Sequence, residues 1–290
     1  MLKYIILSMR IQQWIKNLFI FAPLIFSGHL FKVNDLLLSI AGFFVLSFAS
    51  SAIYLFNDVV DMEKDKLHPE KSHRPIPSGK LKPSVAIFTF IIFAILCLVA
   101  GYTINPYFGL IVLIYAVMNI LYSFWLKQLV ILDVMTISVG FVLRVIAGAI
   151  IINVPTSEWL IICTMLLSLF LGFSKRRSEL VLLENLANTH RSVLTHYNAH
   201  FLDQMIGIVT ASTVMSYALY TISEETIIKF GTKNLIYTVP FVLYGIFRYL
   251  YLVHKKQEGG NPTQAVLTDI PIIVNVLLWV LVSSVIIYWR

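Results

Sequence analysis

Four oxygen-bearing side chains fall within nine consecutive positions: Asn57, Asp58, Asp61 and Asp65. At about 100° per residue, a helix through them sets Asn57, Asp61 and Asp65 at roughly 0°, 40° and 80°, with Asp58 near 100°. All four then share one face. Carboxylates crowded in this way repel one another unless a cation sits among them, and an all-oxygen set suits a hard divalent ion such as Mg2+. Magnesium commonly takes one or two carboxylates together with substrate phosphates, so the cluster also predicts a diphosphate-bearing substrate. The alternative is a solvated helix end neutralised by Lys64 and Lys66.

A basic strip follows, H-P-E-K-S-H-R-P-I-P-S-G over residues 68–79. Pro69, Pro75, Pro77 and Gly79 forbid a long helix and hold Lys71, His73 and Arg74 on a loop near the acids. Ammonium and guanidinium groups beside a metal-bound diphosphate are what phosphate binding requires, although such a strip also suits anionic lipid heads. A second basic run, Lys175, Arg176 and Arg177, carries Glu179 close behind it. It reads as a phosphate-binding cluster or as a simple charge anchor. Asp133 and Arg144 lie eleven residues apart, three turns and about 20° off one face, so that both can point into one cavity. An arginine so deep in an apolar run must face protein or water. Asn119, Tyr122 and Lys127 run toward the same side, and His190, Arg191 and Tyr197 sit in a loop long enough to close over a site. A lone loop histidine is not read as catalytic.

The elements that must position these groups are membrane spans. Of 290 residues, 58% are hydrophobic and 13% charged, against about 25% charged in a soluble domain. Mean hydropathy is +0.82. That excludes a soluble globular protein, a secreted disulfide scaffold and a disordered chain. Nine candidate spans fall near 14–32, 35–56, 84–104, 107–125, 131–152, 157–173, 203–222, 234–252 and 269–288, each long enough for a hydrocarbon core of about 30 Å. The expectation is an all-α integral membrane protein forming one domain over residues 1–290.

The net charge of +7 is one-sided, which argues against a nucleic-acid partner. The N-terminus and the connections 57–83, 126–130, 174–202 and 253–268, together with Lys16 at the start of the first span, hold 16 of the 22 Lys and Arg residues. By the positive-inside rule they are cytoplasmic, which places the C-terminus outside and the site opening at the cytoplasmic face of a plasma (inner) membrane. Lys3 opens only a short apolar stretch, interrupted by Arg10 and Lys16, so no cleavable signal peptide is expected. Cys97 and Cys163 both lie in apolar runs and predict neither a disulfide framework nor a metal site.

Two patterns in succession, N-D-x-x-D-x-x-x-D and then H-P-x-K-x-x-R-P-I-x-x-G, resemble the UbiA superfamily of intramembrane transferases. More narrowly, the chain resembles the decaprenyl-phosphate phosphoribosyltransferase branch. The segments that carry this are R-x-x-Q-W-x-K-N from Arg10 to Asn17, Y-S-x-x-L-K with I-L-D from Tyr122 to Asp133, G-F-V-L-R-x-I-A-G from Gly140 to Gly148 and K-R-R-S-E-L from Lys175 to Leu180. The late stretches R-Y-L-Y-L-V and G-G-N-P-T-Q-A-V-L-T-D fit as well. The resemblance implies a bundle of about nine transmembrane helices, Mg2+ as cofactor, and Asn57, Asp58, Asp61 and Asp65 as its ligands. It further implies that Arg10, Gln13, Lys16 and Asn17 orient a lipid phosphate. An α-helix through these four would put Arg10, Gln13 and Asn17 on one face. A cytoplasmic helix cap is the plainer reading of the same residues.

One departure chooses between branches. Members that use prenyl diphosphates carry a second D-x-x-x-D motif after span six, where this chain has Lys175, Arg176, Arg177 and Glu179. One acid among three cations does not build a second magnesium site; it suits bare phosphate groups. The expected reaction is transfer of 5-phosphoribose from phosphoribosyl pyrophosphate to a polyprenyl phosphate, with Asp58, Asp61, Lys175 and Arg176 at its centre. Lys71, Arg74, Tyr122, Lys127, Asp133, Arg144, Glu179, Arg191 and Tyr197 are expected around the substrates. Membrane lipids are expected partners, and self-association as a homo-oligomer is left open. The alternative is a prenyltransferase acting on an aromatic or other small acceptor. A transporter is disfavoured, because the polar motifs gather at one face instead of near the midplane.

Overall fold

In the computed structural model, which describes residues 1–67, 71–183, 194, 196–255 and 262–289, the apolar runs are helices whose limits follow local chemistry. The order is α1 (Leu2–Ser8), a 3-10 segment (Ile11–Phe21), α2 (Ala22–Phe26), α3 (Val33–Val60), α4 (Met62–Lys66), a 3-10 turn (Lys71–His73), α5 (Pro83–Ile104), α6 (Pro106–Phe124), a 3-10 turn (Leu126–Gln128), α7 (Leu132–Ile151), α8 (Glu158–Leu183), α9 (Ala199–Ile222), α10 (Glu224–Phe230), a 3-10 segment (Asn234–Thr238), α11 (Val239–Lys255), α12 (Pro262–Thr268) and α13 (Ile270–Tyr288). Pro83 and Pro106 open α5 and α6 in the first turn, where a missing N–H costs nothing. The side chain of Asn105 accepts the N–H of Tyr107 at 2.8 Å, and Asn198 does the same for Phe201 at 2.7 Å, capping α6 and α9.

Among the described residues eight helices are long and apolar enough to cross a membrane, so the protein is an all-α integral membrane protein. They correspond to the second through ninth expected spans. The first, expected as one helix over 14–32, is built differently: a left-handed Arg10 (φ 52°) ends α1, and a 3-10 segment runs into α2. At roughly 2.0 Å and 1.5 Å of rise per residue, Ile11–Phe26 extends about 30 Å all the same. The segment lies against glycines. A Cβ on Gly148 of α7 would run into the Ile20 carbonyl oxygen, and one on Gly42 of α3 would meet Ile20 Cδ1 at 2.9 Å.

A second difference concerns the sixth span, expected over 157–173 or extended toward Arg176, with loop beyond; the helix runs on to Leu183. It does so because Lys175, Arg176 and Glu179 are good helix formers and pair within one turn: Arg176 Nη1 to Glu179 at 2.6 Å and Lys175 Nζ to Glu179 at 3.8 Å.

Two apolar cores divide the bundle. One joins Ile20 and Leu24 to Leu46 of α3, Phe108 and Val112 of α6 and Ala147 of α7. The other joins Val134 of α7 to Phe170 of α8, Leu202 of α9 and Leu252 of α11. α7 thus belongs to both. The last helix returns to the first segment, where the Tyr288 hydroxyl donates to the Ile25 carbonyl at 2.8 Å.

Candidate functional site

α3 ends at the acidic motif. Asn57 and Asp58 lie in its last turn, Asp61 is its C-cap, and Asp65 belongs to α4. Asp58 is 1% exposed. Arg10 pairs with its Oδ1, and Arg74 Nη1 reaches the same oxygen at 3.2 Å and Asp65 Oδ2 at 2.7 Å. Lys71 lies 3.9 Å from Asp65 Oδ1. The proline-bounded loop therefore folds back onto the acids, turned by Gly79 at φ 75°. Burial and the Arg10 charge pull the Arg74 guanidinium below its ordinary value, while Asp58 and Asp65 oppose them.

The other two motif residues face α6 and its following turn. Asn57 Oδ1 accepts from the Ser123 hydroxyl, and Lys127 Nζ donates to Asp61 at 2.6 Å. The motif is thus split between two sides: Asp58 and Asp65 share Arg74, whereas Asn57 and Asp61 are held from α6.

Farther along α3 the charge changes sign. Asn17 donates to Ser47 and Ser50 at 3.0 and 3.3 Å, and its Oδ1 accepts Arg144 Nε at 2.7 Å. Arg144 also donates to the Gly140 carbonyl at 2.6 Å and the Tyr115 hydroxyl at 2.9 Å, with its guanidinium over the Tyr115 ring. Arg144 is buried, and Lys16 is half-buried within range of its charge and that of Arg10. Among the described residues no carboxylate pairs with Lys16 or Arg144. Arg10 stands between the two zones, its guanidinium 4.9 Å from the Tyr54 ring centre. Ser50 precedes Asp58 by eight residues, and Tyr115 precedes Ser123 by eight. Both helices therefore place the cations about 12 Å inside the acids.

The 3-10 geometry explains who meets whom. At three residues per turn, Trp14, Asn17 and Ile20 line one edge, and all three face α3: Trp14 Nε1 donates to Ser51 at 2.9 Å, Asn17 to the serines above, and Ile20 is fully buried. Gln13 and Lys16 line another edge. The expected common face of Arg10, Gln13 and Asn17 is therefore absent. Arg10 goes to Asp58, Asn17 to Arg144, and Gln13 accepts from Thr263 of α12 at 3.0 Å.

Asp133 and Arg144 likewise fall into separate networks. Asp133 is fully buried beside Arg176, whose Nε donates to Asp133 Oδ2 at 2.6 Å. Arg176 is 1% exposed and also holds Glu179 and, at 3.2 Å, the Tyr122 hydroxyl. Its guanidinium faces the interior, while Lys175 one residue earlier is partly exposed. Tyr197 donates to Asp133 Oδ1 at 2.8 Å. Burial, together with its bond to Asp133, holds this hydroxyl well above its ordinary pKa. Arg177 turns to Asp203 at 2.5 Å. Arg191, His190 and His68 lie outside the described residues.

The sequence reading passed over Tyr54, Tyr115, Ser123 and the serines of α3. Tyr115 had a signal: with Asn119 and Tyr122 it makes an i, i+4, i+7 polar stripe on an apolar helix.

Among the described residues no three His, Cys, Asp or Glu side chains approach closely enough to hold a metal ion by themselves. The set nevertheless suits Mg2+, which takes few protein carboxylates and completes its shell with substrate oxygens. Asp58 and Asp65 converge on one arginine, and Asp58 Oδ2 is buried with no hydrogen-bond partner among the described residues. A buried carboxylate oxygen left unpaired is costly unless a cation or donor meets it.

A model described as the UbiA prenyltransferase family matches residues 18–267. The chain is 28% identical to the decaprenyl-phosphate phosphoribosyltransferase of Mycobacterium tuberculosis over 95% of its own length and 91% of that protein's. It is 30% identical to the protein of the same name from Corynebacterium glutamicum, over 94% and 83% respectively. Among solved structures, a UbiA homolog from Archaeoglobus fulgidus bound to GPP and Mg2+ superposes with a TM-score of 0.72. The two are 18% identical, and the match covers 98% of this chain and 99% of that one.

Proposed function

Because the chain belongs to the UbiA prenyltransferase family, an intramembrane transferase, we propose that it moves 5-phosphoribose from phosphoribosyl pyrophosphate to a polyprenyl phosphate, releasing pyrophosphate. The observation that carries this reading is the pair Lys16 and Arg144, which lies deeper in the bundle than the acidic motif and meets no carboxylate among the described residues. A buried or half-buried cation within a membrane bundle is costly without an anion, so the retention of this pair points to an anionic guest at that depth. A prenyl diphosphate carries its only charges at the diphosphate, and its tail would have to lie against Lys16, Arg144 and Asn17. Phosphoribosyl pyrophosphate carries a phosphate at each end of a small polar sugar. The names of the curated relatives support the same choice.

In this reading Asp58 and Asp65, with Asn57 and Asp61 from the other side of the motif, would hold Mg2+ together with the diphosphate of the donor. Bound magnesium supplies neutralisation of the leaving pyrophosphate. Arg74, Lys71 and Lys127 sit at the same carboxylates and shift to diphosphate oxygens as the donor enters. Lys16 and Arg144 take the far phosphate and so fix the direction of the ribose. Lys175, partly exposed in the last third of α8, meets the acceptor phosphate. Arg176 positions Glu179, Asp133 and Tyr122 from behind.

The acceptor phosphate is an anion at neutral pH and needs no strong general base. The residues supply orientation, charge neutralisation and shielding from water. In-line attack at C1 of the ribose inverts its configuration. By the charge distribution of the loops, this site opens to the cytoplasm.

A prenyltransferase reading is favoured by one observation, the likeness of fold to a homolog bound to GPP and Mg2+. The test uses purified protein in nanodiscs with Mg2+, phosphoribosyl pyrophosphate and a polyprenyl phosphate of about fifty carbons, a chain length taken from the relatives' names. A phosphoribosylated lipid in the mass spectrum is expected. A prenylated aromatic formed from a prenyl diphosphate, with no phosphoribosylated lipid, would select the second reading.

A further inference from the structure

Ile131, at the end of the short connection between α6 and α7, has φ 70° and ψ −46°. The N–H of Leu132 returns to the carbonyl of Val130 at 2.8 Å, closing a γ-turn of the strained hand around it. A β-branched residue is a marked outlier in this region. Its side chain is exposed, so packing does not explain the choice. Conformations of this kind persist only where neighbouring contacts over-determine them.

The contact that does so comes from a distant part of the chain. The Tyr197 hydroxyl accepts the N–H of Ile131 at 2.6 Å and donates to Asp133 Oδ1 at 2.8 Å. Asp133 is fixed in turn by Arg176. Both lone-pair and proton of the Tyr197 hydroxyl are thereby engaged, and its ring stacks on Phe201 with centroids 6.1 Å apart. Four residues before Ile131, Lys127 donates to Asp61 of the acidic motif. The connection between α6 and α7 is thus pinned at one end by Tyr197 and at the other by Asp61.

We infer that Tyr197 is a positioning residue: by holding the strained turn at Ile131, it sets Lys127 against Asp61 and ties the segment leading into α9 to the acidic motif. The buried phenol stays protonated, as burial and Asp133 dictate, and so keeps the donor that Asp133 requires. The inference rests on the transfer reading only for its turnover arm.

The test uses the full-length protein in nanodiscs. Tyr197→Phe keeps the ring and its packing on Phe201, so a wild-type elution profile is expected. Donor kcat/KM should fall at least tenfold, and hydrogen exchange of the 126–133 peptide should quicken. Adding Ile131→Gly removes the conformational penalty, and should bring both quantities back to within about threefold of wild type. Lys127→Met alone should reproduce the kinetic loss, and Tyr197→Phe on top of it should add almost nothing. Additive losses, or no recovery with glycine, would overturn the inference. If the wild-type protein transfers no phosphoribose, the transfer reading fails by itself. The exchange measurement, which needs no substrate, then still decides whether Tyr197 holds the turn.

Discussion

Arg144 Nε lies 2.7 Å from Asn17 Oδ1, so a cation more than three turns into α7 is fastened to the 3-10 segment that carries Lys16. The guanidinium is hydrogen-bonded yet meets no carboxylate among the described residues. Lys16→Met should therefore separate binding from stability. Removing a half-buried ammonium that meets no carboxylate among the described residues should leave the melting temperature unchanged or raised. Donor KM should rise about tenfold to a hundredfold, the range for losing a charged hydrogen bond. Thermal unfolding and steady-state kinetics on one preparation measure both. A loss of stability with KM unchanged would make Lys16 structural.

Asp58 is the motif residue with the most at stake, buried and shared between Arg10 and Arg74, with one oxygen unpartnered among the described residues. Asp58→Asn keeps the shape but removes the charge that a divalent ion needs. Turnover should fall on the order of a hundredfold or more with the protein still monodisperse. Near-normal turnover would remove Asp58 from the metal site.

Each carboxylate of the motif is already paired with a cation from another segment, so folding is expected to proceed without a metal. Chelation with EDTA should abolish turnover, shift the melting temperature by less than about 3 °C, and be reversed by added Mg2+. Unfolding on chelation would show a structural ion instead.

Two glycines offer a packing test. Gly148→Ala drives a methyl group into the Ile20 backbone and should cost on the order of 1–3 kcal/mol while displacing Asn17 and Lys16. Gly207→Ala on α9 meets nothing within 4 Å and should stabilise by roughly 0.5–1 kcal/mol. Equal melting temperatures for the two variants would contradict the close approach at Ile20.

The membrane class and eight of the helices were legible because hydropathy and caps act locally. Proline and asparagine mark their own boundaries. The motif from Asn57 to Asp65 was legible for the same reason, as spacing alone sets which side chains share a face. Its division into two sides was not, since that depends on Arg74 and Lys127 arriving from other segments. The segment from Ile11 to Phe21 misled because period 3.6 was assumed where period 3 operates. The packing against Gly42 and Gly148 that accompanies it is tertiary. Arg176 was read with Lys175 and Arg177 as one phosphate-binding cluster or charge anchor, because three cations in a row look alike in sequence. Asp133, forty-three residues earlier, turns it inward. The strain at Ile131 has no signal in an Ile-Leu-Asp triplet.

The central claim is that the sugar phosphate leaves on the lipid while the diphosphate stays behind. The most direct measurement uses two labelled forms of phosphoribosyl pyrophosphate with polyprenyl phosphate and Mg2+. Label on the 5-phosphate should pass into the organic phase, and label in the diphosphate should remain in water as pyrophosphate. If neither label enters the lipid, while a prenyl diphosphate supplied in its place delivers its chain to an acceptor, the phosphoribosyl reading of the inner cations is contradicted.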